Sequence, residues 1–310
     1  MDLKSKIILI SGPTASGKSD FAIKLAKKFN GEIINADSMQ AYKELKILTA
    51  RPTLKQENKI KHHLYGIKSV KRNFSTGEWL SKAIKKIEEI KRRKKIPILV
   101  GGTGLYFKSL IDGFVEIPKI SFPVRQKVRK LQEKIGQENF YKKLIKLDPS
   151  VLEKINPKDT QRCLRAYEVK YFTSKSINYW HKKTRPAFHE SSFIKILIDI
   201  PKIDLNIKIS KRVNRMIKEG AITEVKKFNK LMVKKYLTSN KVIGLKEINQ
   251  YLTGKIDKKE MINLINIKTR QYTKKQRTWS RGQMKSWIIF PIGKHSLKEL
   301  FLFDADNITR

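Results

Sequence analysis

The chain has 310 residues and 40% of them are hydrophobic, which allows a buried core and excludes a disordered chain. A formal net charge of +41 favours a polyanionic partner such as a nucleic acid, although an AT-rich coding sequence, which favours lysine over arginine, would give the same excess. A single cysteine, Cys163, excludes an internal disulfide framework, and the absence of a long apolar run excludes a membrane helix.

The first part of the chain alternates between strand and helix patterns. Strands are predicted at residues 6–11, 32–36 and 96–100, and amphipathic helices at 19–29 and 78–95. The first apolar run leads into a glycine loop rather than a cleavage site, so we expect a strand instead of a signal peptide, and a cytoplasmic protein. Strands that alternate with helices predict βαβ units, and hence an α/β fold with a mostly parallel sheet flanked by helices.

The middle of the chain has a different pattern. From residue 118 to 190 short apolar strands are absent, and the sequence is helical, charged and interrupted by prolines. We predict an inserted all-helical domain over 118–190, with the core formed by 1–117 and 191–310. A core strand returns at 194–200, helices follow as far as Arg281, and a last apolar segment covers 287–291.

Residues 12–19 fit the phosphate-loop pattern G-x-x-x-x-G-K-[ST] without a mismatch. They are Gly12, Pro13, Thr14, Ala15, Ser16, Gly17, Lys18 and Ser19. The glycines let backbone N–H groups close around phosphate oxygens, Lys18 adds positive charge, and Ser19 can ligate Mg²⁺. Because the pattern lies between a predicted strand and a predicted helix, it indicates a di- or triphosphate ligand without identifying what the phosphate is attached to.

Two further segments follow predicted strands. Asp37 comes after the second strand, and the glycine turn at 101–104 comes after the third. The carboxyl ends of parallel strands face the ligand crevice, so the Asp37 carboxylate is a candidate general base or magnesium partner. A helix N-cap explains this aspartate equally well, and a tight turn explains the glycines.

The sequence fits two other classes of phosphate-loop protein poorly. A GTPase requires N-K-x-D, but Asn240 and Lys241 are followed by Val and Ile. Asp199 ends a predicted strand as a motor ATPase would require, but no catalytic Glu follows it. A nucleoside or polynucleotide kinase, with ATP in the loop and Asp37 activating a hydroxyl, remains the main alternative. A non-catalytic RNA-binding protein is disfavoured because Lys18, Ser19 and Asp37 are all intact.

A set of ordered motifs spans nearly the whole chain. The motifs are GPTASGKS, DSMQAY, TARPT, HHL, GGTGLY, INPKDTQRCLRAYEV, KRVNRMIKEG, VIGLKE and TRQYTKKQRTW. In this order and context the chain resembles the tRNA dimethylallyltransferase family. The helical insertion and the QRCLR segment favour this family over the related adenylate isopentenyltransferases, which act on free nucleotides.

The resemblance implies a kinase-like P-loop core whose loop holds the diphosphate of dimethylallyl diphosphate. It implies Mg²⁺ as the cofactor, contacted by Ser19, and a helical insertion that grips the anticodon stem-loop of tRNA. Asp37 matches the family's general base for the N6 amine of a flipped-out adenine. Thr103 matches a residue that holds the leaving diphosphate, and Arg212 one that neutralises charge as the C–O bond breaks.

The resemblance also implies tRNA contacts and a monomer without a membrane partner. The positions that match tRNA contacts are Asp37, Ser38, Met39, Gln40, Thr103, Arg125, Gln161, Arg162, Cys163, Leu164 and Arg165. For Cys163 a small packed side chain is the preferred interpretation. Lys61, Asn214 and Ile200 depart from residues common in the family, which puts details of the substrate channel in doubt.

Overall fold

The computed structural model describes residues 5–291 and divides them into two compact units. One unit consists of the described residues up to Ile111 and from Phe188 onward, and the other is the continuous segment Asp112–Ala187. The predicted insertion began at 118 and ended at 190. Phe188 belongs to the first unit because its ring packs against Phe193, with 6.2 Å between the ring centroids. The predicted core segments 1–117 and 191–310 include residues 1–4 and 292–310, which lie outside the described residues.

The first unit is built on a parallel sheet. Its strands are β1 (Ile7–Ser11), β2 (Gly31–Asn35), β3 (His62–His63), β4 (Ile96–Gly101), β5 (Phe193–Asp199) and β6 (Ile288–Pro291). Their order across the sheet is β3-β2-β4-β1-β5-β6, and every pairing between these strands is parallel. The predicted α/β class with a mostly parallel sheet is therefore confirmed.

The described residues also form α-helices. They are α1 (Lys18–Lys28), α2 (Leu54–Glu57), α3 (Thr76–Arg92), α4 (Gly104–Ile111), α5 (Phe122–Leu147), α6 (Thr160–Thr173), α7 (Ile177–Lys182), α8 (Lys202–Lys218), α9 (Ala221–Lys230), α10 (Leu245–Leu252) and α11 (Lys258–Gln283). Helices α5, α6 and α7 lie in the second unit. Within residues 5–291, no helix is both long enough and apolar enough to cross a membrane.

Helices cover both faces of the sheet because the central strands are apolar throughout. Successive side chains of a strand point to opposite faces. Ile8 and Ile10 of β1 therefore pack with the apolar side of α1, whereas Ile7 and Leu9 pack with α3 and α4. On the second face the rings of Trp79 and Tyr106 stack with their centroids 4.1 Å apart. Burial on both faces explains the continuous apolar runs from which the strands were predicted.

A second core lies among α8, α9, α10 and α11. Buried residues of these helices pack with Tyr42, Leu45 and Leu48 from the segment that follows β2. Helix α11 also packs against α4, which directly follows β4. The long helix α11 therefore runs from the helical core to the carboxyl ends of the strands.

The second unit has its own core. Helices α5 and α6 pack around Phe140, Leu144 and Tyr167, and the rings of Phe140 and Tyr167 lie 5.1 Å apart between centroids. Helix α5 is interrupted at Gly136, whose φ and ψ angles of 75° and 168° are not helical. The segment is thus entirely helical apart from its connecting turns, without a strand among its residues.

Candidate active site

The loop between β1 and α1 has a backbone conformation that suits anion binding. Ala15 and Gly17 have positive φ angles of 66° and 93°, and such left-handed residues turn neighbouring N–H groups towards one concavity. The Ser16 hydroxyl in this loop is buried and has no hydrogen-bond partner among residues 5–291. A buried hydroxyl without a partner is costly, and a phosphate oxygen in the loop would provide one.

Lys18 begins α1 at the end of this loop. Its ammonium donates a hydrogen bond to the carbonyl oxygen of Pro13 at a distance of 3.0 Å. Burial lowers the pKa of Lys18 from 10.5 to about 8, while the charge of Asp37 raises it and that of Arg212 lowers it further. A buried ammonium gains strongly from an added anion, so the local electrostatics favour a phosphate here.

Asp37 follows β2 and is held from both sides. Its backbone N–H donates to the Asn35 side-chain oxygen at 2.8 Å, and its own Oδ1 accepts the Met39 N–H at 2.9 Å. The carbonyl of Asn35 in turn accepts the buried indole N–H of Trp79 at 2.7 Å. The carboxylate therefore makes the local turn contact expected of a capping aspartate and lines the cavity described below. The two interpretations of Asp37 are compatible.

Thr103 connects the end of β4 to the Asp37 loop. Its hydroxyl accepts the Ser38 N–H at 3.0 Å and lies 3.3 Å from the Ser38 hydroxyl. Its backbone N–H donates to the carbonyl of Ala36 at 3.2 Å. Gln40, from the same loop, donates through its side-chain amide to the carbonyls of Thr49 and Ala50.

A cavity opens beside these strand ends and encloses about 660 Å³, its open mouth included. Its polar and charged lining consists of Thr14, Asp37, Thr49, Arg212, Lys241, Thr269 and Tyr272. Its apolar lining consists of Met39, Leu48, Val213, Met216, Val242, Ile243 and Ile265. The cavity therefore has a charged region, with Asp37 and Arg212, and an extended apolar wall.

Arg212 reaches the cavity from α8. Its guanidinium donates to the Thr49 carbonyl at 3.4 Å, and burial lowers its pKa, with the charge of Asp37 opposing the shift. The structure thus brings together Asp37, Arg212 and Thr14 of the phosphate loop, which sequence analysis had selected separately.

The contribution of α11 to the cavity was not predicted from the sequence. Ile265, Thr269 and Tyr272 line the cavity, and Gln276 follows one turn later on the same face. The Gln276 side chain accepts the Thr14 N–H at 2.9 Å and donates to the Gly102 carbonyl at 3.0 Å. The only signal available was the spacing of three and four residues between Thr269, Tyr272 and Gln276 in TRQYTKKQRTW, which indicates one helix face.

The remaining predicted residues lie in the second unit. In α6, Gln161 and Arg162 are exposed and Arg165 is half-buried, whereas the side chains of Cys163 and Leu164 are buried in the core of the unit. The packed interpretation of Cys163 agrees with this burial. The side chains of this segment that solvent can reach are therefore those of Gln161, Arg162 and Arg165.

A cluster of arginines surrounds a buried carboxylate in this unit. The Arg165 guanidinium lies 3.8 Å from the Glu168 carboxylate. Burial raises the pKa of Glu168, and the charges of Arg125, Arg165 and Arg129 oppose the shift. The Nε of Arg125 is itself buried without a hydrogen-bond partner among residues 5–291. Because three arginines act on one carboxylate, this cluster carries a net positive charge.

The departures from the family pattern lie outside the cavity lining. Lys61 and Asn214 are exposed, and Ile200 is buried in the core formed by α8–α11. The described residues contain no group of three or more His, Cys, Asp or Glu side chains placed to hold a metal. A divalent ion would instead depend on the hydroxyl of Ser19 and on phosphate oxygens of a ligand, and such hard oxygen donors suit Mg²⁺.

Comparison with known proteins identifies the family. The sequence profile described as IPP transferase matches residues 40–283, which is more than half of the chain. The chain belongs to the IPP transferase family. The resemblance found in the motifs is thus confirmed.

Similar members of the IPP transferase family carry a consistent description. A tRNA dimethylallyltransferase from Pelagibacter ubique is 58% identical over 288 residues, which cover 93% of this chain and 92% of the relative. One from Rickettsia massiliae is 44% identical over 92% of this chain and 79% of its own length.

Solved structures of the same family have the same fold. A eukaryotic dimethylallyltransferase acting on tRNA matches with a TM-score of 0.80 and 29% identity, over 98% of this chain and 77% of that one. A tRNA isopentenylpyrophosphate transferase from Bacillus halodurans matches with a TM-score of 0.70 and 30% identity, over 98% and 96% of the two chains. The agreement extends over almost the whole length of this family member.

Proposed function

We propose that this protein is a tRNA dimethylallyltransferase. It transfers the dimethylallyl group of dimethylallyl diphosphate to N6 of the adenine 3′ to the anticodon and releases diphosphate. The observation that carries the proposal is one cavity in which Asp37, Arg212 and the phosphate loop meet beside an apolar wall. This combination suits a donor with a charged end and a hydrocarbon end.

The donor is proposed to bind through both of its ends. The diphosphate binds in the loop of residues 12–19. Lys18 and Arg212 neutralise its negative charge, and the Ser16 hydroxyl gains a hydrogen-bond partner. The dimethylallyl group lies against apolar lining such as Met216 and Val242, which excludes water from the reacting carbon. Ser19 is the residue proposed to hold Mg²⁺, and the ion would supply further neutralisation of the leaving group.

The acceptor is proposed to be activated by Asp37. Its carboxylate accepts a proton from the adenine N6 amine as the nitrogen forms a bond to the allylic carbon. The C–O bond to the diphosphate breaks, and its electron pair leaves with the diphosphate, whose charge Lys18, Arg212 and Thr103 stabilise. An amine of this kind is a weak nucleophile, so positioning and electrostatics supply most of the rate acceleration.

tRNA recognition is proposed to involve both units. The adenine leaves its stacked loop to reach a recessed site, where residues 37–40 and Thr103 contact it. In the helical unit Arg125, Arg162 and Arg165, with Gln161, would contact the anticodon stem-loop. We expect a cytoplasmic monomer, because the substrate is tRNA and the family resemblance implies a single chain.

A transfer assay tests the proposal. Radiolabelled dimethylallyl diphosphate, unmodified tRNA and Mg²⁺ are incubated with the wild-type protein, Asp37→Ala and Asp37→Asn. We expect label in RNA with the wild type and a loss of about 10²-fold or more in kcat for both variants, because each lacks the general base. Diphosphate binding should persist in both variants.

The matched control is Asp204→Asn, which removes an exposed carboxylate from α8 and should transfer at the wild-type rate. Absence of label with the wild-type protein, together with phosphate transfer from ATP, would favour the kinase alternative. Unchanged turnover in Asp37→Asn would remove Asp37 from the mechanism while leaving the activity itself established.

A further inference from the structure

We propose that Gln276 is a positioning residue that fixes the distance between the diphosphate loop and the loop of the general base. The inference rests on the proposed function and assigns a role on α11, a helix without a predicted catalytic residue. Gln276 is not among the cavity-lining residues, so it acts through the groups that it holds.

The geometry places one amide between two loops. Oε1 of Gln276 accepts the Thr14 N–H at 2.9 Å, and Nε2 donates to the Gly102 carbonyl at 3.0 Å. The residue is only 9% exposed, so water does not readily replace either bond. A Cβ on Gly102 would lie 2.2 Å from Nε2, which shows how closely the backbone approaches this amide.

The connection continues from Gly102 to the general base. Thr103, the next residue, accepts the Ser38 N–H at 3.0 Å and donates its own N–H to the Ala36 carbonyl at 3.2 Å. Ala36 and Ser38 flank Asp37 in the chain. A chain of hydrogen bonds and one peptide bond therefore connects the phosphate loop, through Gln276 and Thr103, to the two neighbours of Asp37.

This arrangement matters because the reaction joins two substrates held by different loops. The donor is held by residues 12–19 and the adenine amine by Asp37, and bond formation requires the reacting atoms at a defined distance. A misplacement of about 1 Å can cost about 100-fold in rate. The loops of the site follow β1, β2 and β4, and the Gln276 side chain links the loop after β1 to the loop after β4.

The position requires a side chain that both accepts and donates. An amide does so, and so does a protonated carboxyl group of the same shape. An ionised carboxylate accepts only and would face the Gly102 carbonyl with a negative charge. Gln276→Glu should therefore be impaired when ionised and restored when protonated, which a purely structural defect would not reproduce.

The experiment measures kcat and KM for both substrates between about pH 5.5 and 8.5. The ordinary glutamate pKa is about 4.3, and burial at this position raises it towards that range. The proteins are the wild type, Gln276→Glu, Gln276→Ala and Gln271→Glu. Gln271 is exposed on the same helix, so the last variant adds the same charge without affecting the bridge.

We expect kcat of Gln276→Glu to fall about 100-fold at the highest pH and its ratio to the wild-type kcat to rise as the pH falls. Gln276→Ala should be impaired by a similar factor at every pH, with KM for the donor changed much less than kcat. Charged groups on the surrounding elements, Lys18, Asp37 and the Arg277–Asp199 pair, are present in all four proteins, and Gln271→Glu controls for an added negative charge on the same helix.

Either of two results would overturn the inference. One is a ratio for Gln276→Glu that is flat with pH, and the other is wild-type turnover in Gln276→Ala. Both require that the wild-type protein transfers the dimethylallyl group in the same assay. A wild-type protein that transfers none would instead contradict the proposed function, and the two failures are therefore distinct.

Discussion

At the scale of single residues, the site depends on groups that are buried before any substrate binds. Asn35 illustrates this: its side-chain oxygen holds the Asp37 N–H, its amide donates to the carbonyls of Asp37 and Leu64, and its carbonyl accepts the Trp79 indole. Asp37, the proposed general base, thus lies in a turn that these hydrogen bonds hold in place. Such preorganisation means that little reorganisation is needed when charge moves.

Lys18 gives a prediction at this scale. Its pKa is about 8 in the free protein, and a bound anion should raise it. Below that pH the ammonium is already charged and binding takes up no proton at this site. Above it, binding should take up as much as one proton, so affinity for diphosphate should fall as the pH rises.

Calorimetry of magnesium diphosphate binding, in buffers of different ionisation enthalpy at about pH 7 and about pH 9, measures this uptake. Lys18→Arg is the control because arginine stays charged throughout, and the ligand's own protonation is common to both proteins. The wild type should take up more protons than the variant at the higher pH only. If the wild type and Lys18→Arg take up the same number of protons at about pH 9 as well as at about pH 7, the assigned pKa of Lys18 is contradicted.

At the scale of elements, helices place side chains that the strand ends do not supply. Glu224 of α9 is an example, because its carboxylate accepts three consecutive N–H groups, those of Lys46, Ile47 and Leu48, at 2.7, 2.8 and 2.9 Å. The loop held in this way supplies Leu48 and Thr49 to the cavity. One carboxylate therefore determines the shape of one side of the site.

Replacing Glu224 by Gln should damage both stability and binding. The amide loses the charge and turns an NH₂ towards backbone donors, so we expect a loss of about 2–3 kcal/mol in the free energy of unfolding. KM for dimethylallyl diphosphate should rise several-fold. Denaturant unfolding and steady-state kinetics measure the two effects.

Glu219→Gln is the matched control for this variant. Its carboxylate is exposed and lies 3.8 Å from Arg215, so its loss should change stability by no more than about 0.5 kcal/mol. If the two variants are equally stable and have the same KM, the loop does not depend on the Glu224 carboxylate.

What could be predicted from sequence follows the same division between strand ends and helices. The phosphate loop and Asp37 follow apolar strands, and parallel strands bring their carboxyl ends together, so pattern alone made them candidates. Thr103 also follows a strand, but it was selected through the family resemblance. Gln276 and Glu224 reach the site from helices, and nothing in their local sequence specifies the partner. Their bonds to Thr14 and Lys46 span 262 and 178 residues of chain.

Burial within helices was harder to predict than the helices themselves. The whole QRCLR segment matches tRNA contacts in the family, with a packed side chain preferred for Cys163. The structure buries Cys163 as preferred, but it also buries Leu164, and it leaves Gln161 and Arg162 exposed. The direction in which α6 packs decides this, and that direction is set by contacts with Phe140 and other residues distant in sequence. The two-residue strand β3 was not predicted, because His62 and His63 carry too short a pattern to be distinguished from a loop.

At the scale of the whole molecule, the net charge of +41 remains open to two explanations, RNA binding and coding composition. We predict that the charge broadens RNA binding beyond the cognate anticodon loop. The logarithm of the affinity for unrelated structured RNA should then fall steeply with the logarithm of the salt concentration, as expected when counterions are released. Titrations of cognate tRNA and an unrelated RNA across a salt series measure this.

The cognate tRNA should add a contribution that depends less on salt, because contacts to the flipped adenine are not ionic. If unrelated RNA fails to bind at physiological salt while cognate tRNA binds tightly, the surplus charge plays no part in recognition. Coding composition would then be the better explanation of the lysine content.

The position of β1 in the sheet has a consequence for biosynthesis. This strand pairs with β4 on one side and with β5, which begins at Phe193, on the other. During synthesis on the ribosome β1 therefore emerges early, but its neighbour β5 emerges only after Asp112–Ala187 has been made. That inserted segment contains its own apolar core and mostly local contacts, so it can condense first. The unit that contains the sheet, begun first, is completed last.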